Sequence, residues 1–183
     1  MLVLSKDKLM QDIIQKAKQI RLVIFDVDGV LTDGRLFFDQ NGIEYKSFNA
    51  KDGQGLKLLM QSGVQVAIIS GRKSEAVKIR MKNLGIQHVY QGHENKIASF
   101  ESLCKNLGIK PEQVAHVGDD LPDLAIMTRA GLAIAVQDAH QEVIKRADWQ
   151  TQLAGGKGAA REVCDFVMEA QGTLSAAIQE FLQ

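Results

Sequence analysis

The stretch LVIFDVDGVLTDG, Leu22 to Gly34, runs an apolar segment straight into Asp26 and Asp28 and then into a glycine. An unbroken apolar run is what a strand buried on both faces of a parallel sheet requires. Carboxylates weaken strands, and two of them two residues apart at a strand end point the same way. Two close negative charges at that position call for a cation, or for a reaction that uses them.

Working outward, similar runs follow at 64–70 (VQVAIIS), 113–119 (QVAHVGD) and 132–136 (LAIAV), with a weaker one at 87–92 (QHVYQG). Helical periodicity falls between them at about 53–62, 74–84, 95–107 and 121–130. A further amphipathic helix over 7–20 rests on Leu9, Met10, Ile13, Ile14, Ala17 and Ile20, and helical segments near 140–146, 159–170 and 174–182 complete the chain. Strands alternating with helices predict an α/β fold, a doubly wound, Rossmann-like parallel sheet. With 183 residues, two prolines and no low-complexity tract, residues 1–183 are expected to form one domain.

One segment breaks the alternation. Residues 34–49, GRLFFDQNGIEYKSFN, contain two extended runs around Asn41-Gly42, which predicts a β-hairpin inserted after the first strand. It would expose Leu36, Phe37, Phe38, Ile43, Tyr45 and Phe48, and a lone hairpin is marginal in water. It should therefore pack on the domain or on other subunits. The segment from about 154 to 183 opens with GGKGAAR, which lacks the spacing of a nucleotide-phosphate loop and is read as a mobile tail and helix start. Trimming it after about Ala154 would then impair activity without melting the core.

Lys+Arg and Asp+Glu both number 22, so no global field recruits nucleic acid or an anionic membrane. The opening residues are broken by charge, unlike a secretory signal, and no apolar run is long enough for a bilayer, which points to a cytoplasmic protein. Cys104 and Cys164 lack metal spacing and read as reduced, buried thiols. His116, inside a predicted strand, reads as a packed core residue; His88 and His140 as partly exposed.

Ligands of doubly wound sheets bind beyond the carboxyl ends of the strands. Asp26 and Asp28 fall there, as do Ser70, Gly71 and Arg72, Lys96 at the next helix start, and Gly118, Asp119, Asp120 and Asp123. Asp26 and Asp119 can offer oxygens to Mg²⁺, a hard cation. Ser70 and backbone N–H groups can donate to phosphate oxygens, with Lys96 as a point charge. One aspartate can attack phosphorus while a second protonates the leaving oxygen and then activates water. Asp120 and Asp123 fit equally well as caps of the helix that follows.

DVDGVLTDG, IISGR, Lys96 and VGDDLPD together resemble, in order and spacing, the motifs of the haloacid dehalogenase superfamily of phosphatases. The resemblance implies that Asp26 is the nucleophile and a metal ligand. Asp28 would be the acid/base and bind metal through its backbone carbonyl. Ser70 and Lys96 would hold the phosphate, and Asp119 would ligate the metal, supported by Asp120 or Asp123.

The resemblance narrows further. NAKDGQG, SGR with Arg80, YQGHENK, GDDLPD and AGGKGAAREVCD are similar to the 3-deoxy-D-manno-octulosonate 8-phosphate (Kdo 8-phosphate) phosphatase family, which serves lipopolysaccharide synthesis. That family carries a hairpin instead of a cap domain and assembles as a homotetramer. Carried over, its substrate site implicates Asp28, Asn49, Ala50, Lys51, Asp52, Gly53, Lys57, Gly71, Arg72, Arg80 and Lys96. The glycine-rich tail would close over the pocket. Two alternatives share these motifs: a phosphatase of a nine-carbon, neuraminate-type sugar acid 9-phosphate, and a non-catalytic oligomerisation domain.

Overall fold

The computed structural model describes residues 6–93 and 95–182; the first five residues of the opening segment and Glu94 of YQGHENK lie outside them. Helix α1 (Lys6–Lys18) leads into β1 (Leu22–Phe25). The chain then forms the hairpin β2 (Phe37–Phe38) and β3 (Glu44–Tyr45), α2 (Ala50–Gln61), β4 (Gln65–Ser70), α3 (Glu75–Leu84), β5 (His88–Gln91), α4 (Lys96–Leu107) and β6 (Val114–Gly118). It continues through α5 (Leu124–Met127), β7 (Leu132–Ala135), α6 (Gln141–Ile144), β8 (Trp149–Gln150), α7 (Ala159–Ala170) and α8 (Leu174–Gln179).

The main sheet is parallel, in the order β5-β4-β1-β6-β7-β8. Alternation along β1 sends Val23 and Phe25 into the core built with α1, α2, α3 and α7, and Leu22 and Ile24 into the core built with α4 and α5. All four residues of β1 are fully buried, which is why that strand reads as continuous apolar sequence. The chain winds from β1 through β4 to β5, then crosses back to β6 on the other side of β1. That reversal opens a crevice beyond the ends of β1 and β6, the place where ligands bind in such sheets.

Four details differ from the sequence reading. Residues 121–130 do not form one helix: a 3₁₀ turn over Leu121–Asp123 precedes the single turn of α5. The edge strand β8 is too short to show periodicity in sequence. Phe48 is not an exposed hairpin aromatic; it packs against the core, whereas Leu36, Phe37, Phe38, Ile43 and Tyr45 remain about half exposed.

The fourth difference concerns the glycine-rich segment, which is no loose tail. Gly156 N–H donates to the Val30 carbonyl at 2.9 Å, and a Cβ on Gly155 would meet the Gly29 carbonyl oxygen at 1.7 Å. Residues 154–158 are thus wedged against the loop that follows β1. Behind them, Val163, Cys164, Val167 and Met168 of α7 are fully buried. Ending the chain at Ala154 would strip one side of the core, at about 1.5–3 kcal/mol per large apolar side chain lost. We expect that truncation to abolish cooperative thermal unfolding. Ending the chain at Gly172 removes only the half-buried packing of Leu174 and Ala177, and should lower the melting temperature by a few degrees, as about 1 kcal/mol does in a domain of this size.

Candidate active site

Each strand end places one part of the site. Asp26 follows β1 with its N–H donated to the Val117 carbonyl at 3.0 Å, so its backbone continues the sheet and its position is fixed. Ser70 ends β4 and is buried. It is not a helix cap: α3 begins at Glu75, with Ser74 before it. Lys96 opens α4, where the Asn95 side chain caps the helix by accepting the Ile97 N–H. Asp119 and Asp123 follow β6. Asp26, Asp28, Gly34, Ser70, Gly71, Arg72, Lys96, Asp119, Asp120, Pro122 and Asp123 line one cleft of about 320 Å³.

At its floor, Lys96 is almost wholly buried and donates to Asp26 Oδ1 at 2.9 Å and to Asp123 Oδ1 at 2.7 Å. Burial alone would lower the lysine pKa, but the two carboxylates outweigh it and hold the ammonium above its usual range. Asp123 is saturated. Its Oδ1 also accepts from His116 Nε2 at 2.9 Å, and its Oδ2 accepts the backbone N–H groups of Asp119 at 3.1 Å and Asp120 at 3.3 Å. Burial works against the charge, yet these donors keep Asp123 well below the usual carboxylate range. His116 is completely buried and its pKa is lowered by burial, so it gives Asp123 a neutral N–H rather than a charge. The core reading of His116 holds for its burial and misses its bond to Asp123.

Asp26 and Asp119 are in the opposite condition. Burial, then the Asp123 charge, push Asp26 up to about 7 in spite of Lys96. Burial, then repulsion from Asp26, Asp123 and Asp120, push Asp119 up to about 8. Asp119 Oδ1 is buried without a hydrogen-bond partner. Carboxylate oxygens of Asp26, Asp119 and Asp123 lie within 4.8 Å of one another, close enough to share one ion. An orphaned buried oxygen between repelling carboxylates is what a divalent cation would satisfy. Since the oxygens of Asp123 are already engaged, Asp26 and Asp119 are the pair left to meet it.

Gly29 makes room for this arrangement. Its φ is +94°, and a Cβ there would fall 2.0 Å from Asp119 Oδ2. Gly29→Ala should displace Asp119, weakening Mg²⁺ binding at least about tenfold by isothermal titration while the sheet still folds.

Asp28 turns away from the carboxylate group. Its Oδ1 is bound by Lys46 of the hairpin, and Arg72 Nε stands 3.7 Å from its Oδ2. The sequence reading missed Lys46. The available signal was an acid and a base, Glu44 and Lys46, two apart at the end of the insertion's second extended run.

The remaining predicted substrate residues do not converge on this cleft within one chain. Asn49 caps α2 by accepting the Lys51 N–H at 2.9 Å, and the Ala50 and Lys51 side chains are exposed. Asp52 is buried and accepts the Arg161 N–H at 2.8 Å, tying α2 to α7. Arg80 is turned inward: its guanidinium lies over the Phe48 ring, 6.0 Å from the centroid, and fills the space that a Cβ on Gly53 would take. Lys57 is exposed beside Gln65 and His88, at the opposite ends of the strands from Ser70 and Asp26. Of the expected cations, Arg72 and Lys96 are the ones at the cleft.

The comparisons agree with this architecture. The haloacid dehalogenase-like hydrolase family matches residues 86–163. A 3-deoxy-D-manno-octulosonate 8-phosphate phosphatase of Escherichia coli is 52% identical over 166 residues, 91% of this chain and 88% of that protein. The crystal structure of the Moraxella catarrhalis phosphatase of that name, in complex with magnesium, phosphate and Kdo, superimposes with a TM-score of 0.92 at 44% identity, covering 94% of this chain and 99% of that one. The cobalt-bound Haemophilus influenzae phosphatase gives 0.88 at 43% identity, over 92% and 100%. The chain belongs to the haloacid dehalogenase-like hydrolases and, within them, to the 3-deoxy-D-manno-octulosonate 8-phosphate phosphatase family.

Proposed function

We propose that this protein is a Mg²⁺-dependent phosphatase that converts Kdo 8-phosphate to Kdo and inorganic phosphate, supplying lipopolysaccharide synthesis. The observation that carries the reading is the pairing of Asp26 with Asp119 beside Lys96, in a chain 52% identical to a phosphatase of that name. Asp26, Asp119 and the Asp28 backbone carbonyl would hold the Mg²⁺, which supplies positive charge to the phosphoryl oxygens when bound.

The chain's own residues do the rest. An Asp26 oxygen attacks phosphorus, and the bond from phosphorus to the sugar oxygen breaks while Asp28 delivers a proton to that oxygen. Ser70, the Gly71 backbone and Lys96 hold the phosphoryl oxygens in place. Asp28, now ionised, takes a proton from water, which attacks phosphorus; the acyl phosphate bond breaks and inorganic phosphate leaves. Arg72, at the mouth of the cleft, suits the carboxylate of a sugar acid.

The half-exposed apolar side chains of the hairpin support assembly into a homotetramer, through which Lys51 and Lys57 could reach the cleft of another copy. Arg80, turned inward, supports α2 and α3 instead. Buried, unpaired Cys104 and Cys164 fit a reducing cytoplasm. Among the described residues, no helix is long and apolar enough to cross a membrane.

The test is phosphate release from Kdo 8-phosphate, from a neuraminate-type 9-phosphate and from simple sugar phosphates, with Mg²⁺ and with chelator. Metal-dependent release fastest from Kdo 8-phosphate supports the reading. Preference for the nine-carbon ester would overturn the substrate, and no metal-dependent release from any ester would favour a scaffold.

A further inference from the structure

We infer that Lys46 of the hairpin is a positioning residue for the acid/base Asp28, a role that rests on the phosphatase reading above. Lys46, Glu44, Arg72 and Asp28 form a closed ring of alternating charge. Lys46 Nζ binds Asp28 Oδ1 and stands 3.3 Å from Glu44 Oε1. Arg72 Nη2 lies 2.7 Å from that same Glu44 oxygen, and Arg72 Nε lies 3.7 Å from Asp28 Oδ2. The ring joins three separate segments: the loop after β1, the hairpin, and the loop after β4.

Exposure separates the members. The Lys46 side chain is 1% exposed, against 46% for Arg72. An ammonium removed from water to that degree needs its carboxylate partners, so the contact with Asp28 is not a passing surface pair. Lys46 follows β3 directly, so the short hairpin carries it to the loop after β1. Phe37, Phe38 and Tyr45 stay about half exposed, so the insertion meets the domain at its acid/base through Glu44 and Lys46 and leaves its aromatic side chains for a neighbour.

Asp28 is hydrogen-bonded through one oxygen. Its Oδ2 is buried without a hydrogen-bond partner and faces Arg72 Nε only at ion-pair distance, 3.7 Å. A carboxyl group pinned through Oδ1, with no hydrogen bond to Oδ2, suits a group that must hand a proton to the leaving oxygen along a fixed line. The hairpin, besides offering an assembly surface, would thus set the aim of the catalytic proton.

The experiment compares Lys46→Met and Lys46→Arg with the wild type on two esters in the presence of Mg²⁺. Kdo 8-phosphate has an alkoxide leaving group that needs a proton; para-nitrophenyl phosphate has one that leaves readily as an anion. If Lys46 aims Asp28, Lys46→Met should lower kcat/KM for the sugar phosphate about 10²-fold, with KM little changed, and lower it less than about tenfold for the aryl ester. Lys46→Arg should recover part of the loss. Equal losses on the two esters, or full activity of Lys46→Met, would overturn the role of Lys46 alone. A wild type that releases phosphate from neither ester would overturn the phosphatase reading and this role with it.

Discussion

Replacing Asp26 by Asn is expected to cut phosphate release by at least about 10⁴-fold while leaving the metal-free fold as stable as before, or more so. The loss follows because the amide cannot form the acyl phosphate, and the interactions that merely bind and position the substrate are left to act alone. The gain follows from the same burial that makes the residue useful. Asp26 is pushed up to about 7 by burial and by Asp123, so at neutral pH its ionised form is disfavoured in the metal-free protein. Lys96 keeps its 2.7 Å bond to Asp123 in the variant and is not left unpaired. Steady-state phosphate release and thermal melting in chelator check the two halves. A variant that loses activity together with several degrees of melting temperature would show Asp26 to be a structural anchor.

Raising the pH from about 6.5 to 8 should destabilise the metal-free protein, and Mg²⁺ should suppress that loss. Asp119 titrates near 8 in the fold, against 3.8 for the ordinary group, and Asp26 near 7. In this window the unfolded carboxyls are ionised while the folded ones still hold protons. The native state therefore binds more protons, and stability falls as pH rises. Each unit of displacement corresponds to about 1.4 kcal/mol, so the change over the window for the two groups together is on the order of 2–3 kcal/mol. Asp123, held low, stays charged throughout and adds no slope. Below about 6.5, His116 acts the other way: burial lowers its pKa, so the unfolded state takes up the proton first and its contribution to stability falls with decreasing pH. The two carboxyls outweigh the one imidazole, so stability should still fall with rising pH below 6.5, but on a shallower slope. Melting curves across pH with chelator and with Mg²⁺ measure both slopes. A metal-free protein whose stability rises steadily to pH 8 would exclude this origin of the Mg²⁺ affinity.

The site was legible wherever its residues sit at the ends of apolar runs. Asp26, Ser70 and Asp119 stand there because a strand buried on both faces cannot hide a polar residue until it emerges from the sheet. Lys96 was legible from the helix start that precedes it. Other parts left no local trace. Arg80 carries the same charge as Arg72, but it lies over Phe48 and fills the gap above Gly53, while Arg72 ends in the cleft; helical spacing does not separate these fates. The start of the tail, GGKG at 155–158, reads as glycine-rich and mobile, yet Gly155 and Gly156 serve close approach to the backbone of the β1 loop. The bond from Lys46 to Asp28 spans 18 residues and belongs to no motif.

The sequence by itself determined the parallel α/β sheet, the succession of main strands and helices along the chain and the strand-end carboxylates, because burial period and chain order are properties of the chain read locally. Tertiary structure alone decided which charges meet. It gave Asp123 to Lys96 and His116, left Asp119 with an unpaired oxygen, and brought the hairpin's Lys46 to Asp28. The reason is electrostatic. A charge pair forms according to distance and desolvation, and both are set only when separate strands and loops pack together.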